Sequence, residues 1–183
     1  FTIDPDCSIF ENNLWQAPSN CYQDPRLSEV NPDNETITIT NYGTCNINLA
    51  NHRLSSGGSN VNINNLNVVS GTLIVNPNAS VTLSWTAWNP PVGGIDLALY
   101  SPFPDLNNPE DMLDFMQFGS GGNGRESVAV AKGIWGAGDF VSGLSPFNYI
   151  GDGDQNGVAF WEGASPPCSL NLLTTGVQSA CDP

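Results

Sequence analysis

The sequence predicts an all-β protein built around a β-sandwich, and three observations carry that prediction. Apolar residues alternate with small polar ones in run after run, at the period of two that a half-buried strand requires. The runs are short and nearly evenly spaced, with Gly, Pro and Asn-Pro turn signals between them. Only one stretch, Arg125–Trp135, carries a helical pattern, and that pattern is weak.

Glu35–Asn41 (ETITITN) opens the series, with Ile37 and Ile39 on one face and threonines on the other. Val61 and Ile63 then alternate with asparagines, and Leu73 with Val75 in TLIVN. In SVTLSWTAW, Val81, Leu83 and Trp85 share a face while Thr82, Ser84 and Thr86 take the other. Ile95, Leu97 and Leu99 repeat the pattern, and MLDFMQF (112–118) and GVAFW (157–161) complete it. About seven strands of this kind, broken by Asn89-Pro-Pro91 and Gly93-Gly94, fit two packed sheets. Residues 35–162 are read as the sandwich. Residues 1–34, rich in turn material such as DPDC and NPDN, are read as an N-terminal extension, and residues 163–183 as a C-terminal one.

Eighteen acidic residues stand against four basic ones (Arg26, Arg53, Arg125 and Lys132), a net charge of −14. That sign repels phosphate backbones and anionic bilayers, so nucleic acid and membrane surfaces are excluded as partners. No run nears the roughly 20 apolar residues of a spanning helix, so no membrane insertion is expected. The five cysteines make no C-x-x-C pair, and disulfides outside the cytosol fit them better than zinc. Proximity in sequence favours Cys7–Cys21 and Cys168–Cys181, leaving Cys45 odd. Two glycosylation sequons begin at Asn34 and Asn78. The chain is expected to be secreted and extracellular.

ETITITNYGTCNINLANHRL (35–54) resembles the opening of lamin tail domains, with a strand, an Asn-x-Gly turn and a short strand ending in a polar-Leu pair. MLDFMQFGSGGNGRESVAVAKGIWGAGDFV (112–141) is similar to the Asp-Phe-x-Gln-aromatic-Gly strand and Gly-x-Trp segment of secreted, mostly bacterial, lamin-tail-like proteins. The resemblance covers roughly residues 35–161. His52 or Arg53 stands where that family often has Trp. The resemblance implies an immunoglobulin-like sandwich that serves in binding or assembly and shares no catalytic residues.

Candidate sites are few. His52, the single histidine, lies next to Arg53 without a nucleophile motif near it, and is read as a bland surface residue; no catalytic residue is assigned. Gly119–Gly124 (GSGGNG) fits G-x-G-x-x-G after a strand, but no βαβ unit follows it, so a flexible turn is expected rather than a nucleotide site. Asp152-Gly-Asp-Gln-Asn-Gly157 spells the first half of a calcium loop, in which Asp152, Asp154 and Asn156 offer side-chain oxygens and Val158 a carbonyl. The closing acid of an EF-hand would fall at Gly163; Glu162 stands one place early. A simple calcium turn and an Asx-rich polar turn both fit, and calcium is the one candidate cofactor. Trp88 falls on the parity opposite Trp85 and runs into Asn-Pro-Pro, so it is expected to be exposed and able to stack on a sugar. Phe1, Ile3, Ile9 and Phe10 are short apolar pieces outside the sandwich, suited to pairing with another copy. The reading that follows is a non-catalytic structural or adhesive subunit that self-associates through its extensions into a filament or surface layer. The alternative is a glycan-binding module, with or without calcium.

Overall fold

The computed structural model describes residues 21–165, Val92 excepted. The fold is all-β, with antiparallel sheets and, among the described residues, one short helix and twelve strands. Twelve strands follow in order: β1 (Pro25–Asn31), β2 (Thr36–Asn41), β3 (Ile47–Asn48), β4 (Arg53–Ser56), β5 (Ser59–Asn62), β6 (Asn67–Ser70), β7 (Ile74–Val75), β8 (Ser80–Ser84), β9 (Ile95–Tyr100), β10 (Met112–Phe118), β11 (Leu144–Tyr149) and β12 (Trp161–Ala164). The helix, α1, spans Glu126–Lys132.

A six-stranded sheet runs β12-β11-β1-β2-β8-β6, and a four-stranded sheet runs β10-β9-β4-β5. The small pair β3-β7 lies beside them. The two larger sheets meet across one core. Leu27, Val30, Ile37, Ile39, Val81 and Leu83 from the first join Leu54, Leu97, Leu99 and Met116 from the second in a single buried cluster. Burying each such side chain stabilises the fold by roughly 1.5–3 kcal/mol. Trp85 belongs to this core, as its parity predicts.

Strand β10 is buried on both faces, because α1 and Trp135 cover the face turned away from the other sheet. The Trp135 ring meets Phe115 edge to face at 5.3 Å between centroids. The helix stops at Gly133, which takes φ +81° and caps the carbonyls of Ala129 and Val130. No helix among the described residues is long and apolar enough to cross a membrane.

The structure departs from the sequence reading in several places. Residues 25–31, placed in the N-terminal extension, form β1, a central strand between β11 and β2. A bulge between Leu27 and Glu29 shifts the register, so Leu27 and Val30 stand three apart and the period of two is broken. The same bulge hides β1 from any count of alternations. Strand β11 went unpredicted because Pro146 sits inside it and Phe147 is its one buried residue. Val158–Phe160 is a turn of 3-10 helix, and the strand expected there begins at Trp161.

The expected Cys7–Cys21 bridge is also corrected: Cys21 bonds Cys45. The reason is β1. Pairing β1 with β2 brings the residues just before Pro25 beside those just after Asn41, with Tyr22 accepting hydrogen bonds from the amides of Thr44 and Cys45. Cys7, Cys168 and Cys181 lie outside the described residues, as do Phe1, Ile3, Ile9 and Phe10.

Candidate functional site

Two stretches of the sequence look as though they should hold a ligand, and the fold supplies each with a charge of its own. The first is the calcium-like loop. It lies between β11 and β12 and folds over Tyr149, whose Oη donates to the Gln155 carbonyl at 2.9 Å and accepts from the Gly153 amide at 3.2 Å. Gly153, at φ +108°, passes so close to the Tyr42 ring that no side chain would fit there. Tyr42 in turn meets Tyr149 edge to face at 5.9 Å, and burial raises the pKa of both phenols.

Into this loop reaches Arg26, from the start of β1. Its Nη1 donates to Asn156 Oδ1 at 2.6 Å and to the Gln155 carbonyl at 3.4 Å. Its Nε donates to Asp24 Oδ1 at 3.1 Å, and Asp114 Oδ1 lies 4.0 Å from Nη1. A guanidinium therefore sits among one amide oxygen, one carbonyl and two carboxylates, the oxygen types a cation site uses. Asp152 bonds to the Gln155 side chain rather than to a shared centre. Asp154 and Glu162 are exposed, and Val158 lies in the 3-10 turn. Among the described residues, no three His, Cys, Asp or Glu side chains converge in a metal-binding group. The acids of 105–114 divide: Asp105 and Asp111 brace their own loop, and Asp114 joins Arg26.

Asp114 projects from β10 toward the other sheet. Its Oδ2 accepts from the Leu27 amide at 2.8 Å, beside the β1 bulge, and its Oδ1 from the Phe115 amide at 2.9 Å. Burial pushes its pKa up to about 6, against the pull of Arg26 and the two amides. Arg26 and Asp114 thus form a polar clamp across the two sheets. Sequence reasoning missed it. The available signal was a carboxylate within the apolar strand MLDFMQF and an arginine in a chain with few cations.

The second stretch is the glycine-rich loop after β10. Against its last glycine lies the carboxylate of Asp96 of β9, which is fully buried. Asp96 Oδ1 accepts from the Gly57 amide at 2.9 Å and Oδ2 from the Arg125 amide at 2.8 Å. Gly124 lies against both carboxylate oxygens, so a Cβ there would collide with them. Gln117 completes the anchor, accepting from the Asn123 amide and donating to the Asp139 carbonyl. Glu126 Oε1 accepts from the Gly138 amide. The loop is a turn, as expected, and these bonds tie it to β9 and β10.

The remaining predicted positions separate cleanly. His52 is buried, 5% exposed, not a surface residue, and its Nδ1 has no hydrogen-bond partner among the described residues. Burial lowers its pKa. Trp88 is likewise buried, which corrects its reading as an exposed sugar platform. It stacks on Trp85 with ring centroids 6.2 Å apart, and its indole N–H donates to Ser56 Oγ at 2.8 Å. The turn after β8 breaks the strand parity, with the Trp88 amide bonded back to the Trp85 carbonyl. Beside Trp88 lies a polar pocket of about 370 Å³, lined in part by Ser56, Ser59, Asn89, Asp96 and Asn123. A larger cleft, about 540 Å³, runs between the β1–β2 turn and Phe118, Leu144 and Phe147; its lining holds Asp33 and Glu35 but no histidine, lysine or arginine. The sequon residues Asn34 and Asn78 are both exposed on turns. Comparison with family models, curated proteins and solved structures found no match to the chain.

Proposed function

We propose that the chain is a secreted, non-catalytic structural or adhesive subunit, lamin-tail-like in architecture, that associates with its own copies. One observation carries this reading: the two motifs that look like ligand sites are filled by the protein's own ions. Arg26 bonds the Asn156 and Gln155 oxygens of the calcium-like loop, and Asp96 accepts from the Arg125 amide just past the glycine-rich loop and from the Gly57 amide of the β4–β5 turn. A catalytic carboxylate has to face a reacting atom. Here Asp96 and Asp114 bond backbone amides through both oxygens, and Glu126 through Oε1, fixing loops and sheet. The result is a braced body suited to bearing load. The Cys21–Cys45 bridge and the exposed sequons fit an extracellular setting. Electron microscopy and light scattering of the full chain across a concentration series test the reading. Oligomers, filaments or layers that grow with concentration are expected, and a protein that stays monomeric throughout would contradict it.

A glycan-binding module is the second reading, favoured by the pocket beside Trp88. Ser56, Ser59, Asn89 and Asn123 line, beside Trp88, a space large enough for one sugar ring. Saturable shifts of the Trp88 indole and Gly57 amide resonances on adding methyl glucoside would favour this reading.

A further inference from the structure

We propose that the margin formed by β5, β6 and β7, centred on Val68 and Val69, is the surface through which one copy of this chain meets a second. The proposal rests on the assembly reading above and names its contact. Among the described residues, β6 is the outermost strand of the six-stranded sheet, and all four of its residues are exposed. Val68 is 43% exposed, Val69 60%, and Ile74 of β7 57%. Strand β5, which ends the four-stranded sheet, runs directly into this margin and is exposed along most of its length. An outermost strand presents unpaired N–H and C=O groups, and proteins commonly protect such edges with charge. Here there is none. From Leu54 to Ile95 the chain holds no Asp, Glu, Lys, Arg or His.

That absence of charge selects the occupant. Each copy carries a net charge of −14, so two copies repel wherever their acids face each other. The β6 edge, in a stretch without acids, is where they can approach without that cost. Its apolar groups then supply the attraction. The bulge between Val68 and Ser70 matters as well, because it pushes Val69 out of the ladder with β8. In an edge built for protection that outward residue would be a lysine. In this chain it is a valine. An edge strand pairing antiparallel with its own copy generates a two-fold contact, which brings the Val69 region of one copy against that of the other.

The two-fold symmetry gives a sharp test. Full-length protein, Val69→Lys, Val69→Glu and an equal mixture of the two variants are compared by analytical ultracentrifugation. Each single variant sets two like charges face to face, so its association should weaken about tenfold or more relative to the unsubstituted chain. The mixture sets lysine against glutamate and should associate again, a recovery that misfolded variants could not produce. If the unsubstituted chain associates and both variants do so equally tightly, this inference fails while the assembly reading stands. If the variants weaken but the mixture does not recover, the two-fold contact is wrong. If the unsubstituted chain is monomeric at every concentration, both proposals fail.

Discussion

Along one margin of the molecule, α1 and Trp135 cover β10, Val141 bridges to Phe118 at its end, and Glu162 stands on β12. The Arg26–Asp114 clamp lies just inside, and the loop between β11 and β12 is folded over Tyr149. Along the other margin, β5 and β6 end their sheets with exposed asparagine, serine and valine, uncovered by any helix. The difference teaches where this fold carries its ionic chemistry. Buried charge is concentrated on the side where two sheets and a helix must be held in register. On the opposite side, among the described residues, β6 carries no charged side chain and no helix covers β5 or β6, while Arg53 of β4 donates to Asn62 Oδ1 on β5.

The largest effect should come from breaking the braced side. Arg26→Ala would leave Asp24 and Asp114 facing each other without a counter-charge, beside Asn156 without its donor. Removing one partner of a buried pair costs about 3–5 kcal/mol, and urea denaturation at neutral pH should show a loss of that size. Fraying of the β11–β12 hairpin should accompany it, since Arg26 is what ties that loop to β1.

A smaller effect should follow pH. The folded-state pKa of Asp114, about 6, lies above its value of 3.8 in the open chain, so between those limits the folded state binds more protons than the unfolded one. This group's stabilising contribution is therefore full below about pH 4 and is lost as pH rises through 6. A shift of that size corresponds to something on the order of 3 kcal/mol. Asp114→Asn should flatten the slope in melting temperature across that window, whereas an unchanged slope would assign it to another group.

The smallest effect should appear on the bare side. Val69→Lys removes no buried contact, so the stability of the isolated monomer should stay within about 0.5 kcal/mol of the original in denaturant titrations. A loss as large as that of Arg26→Ala would mean that β6 is part of the core and that the contrast between the margins is false.

What could be read in the sequence followed period and parity. Ile37, Ile39, Val81, Leu83 and Trp85 went to the core because ordinary strands alternate without interruption. Strand β1 was hidden by its bulge and β11 by its proline, and losing β1 also misled the assignment of Cys21. Trp88 was misplaced because a tight turn resets parity. The candidate site was legible only as motifs. Both the calcium-like and glycine-rich stretches were visible as ligand-shaped, yet their occupants, Arg26 and Asp96, lie far away in the chain and arrive through sheet pairing. A long-range partner leaves no spacing to count.

Hydrogen–deuterium exchange of the full-length chain at low and high protein concentration tests the contrast between the margins most directly. Amides of an edge strand exchange quickly until another strand or surface covers them. The account predicts that raising the concentration slows exchange at Asn67–Ser70 and leaves Trp161–Ala164 unchanged. Protection that grows at Trp161–Ala164 instead, or exchange at Asn67–Ser70 that ignores concentration, would contradict it.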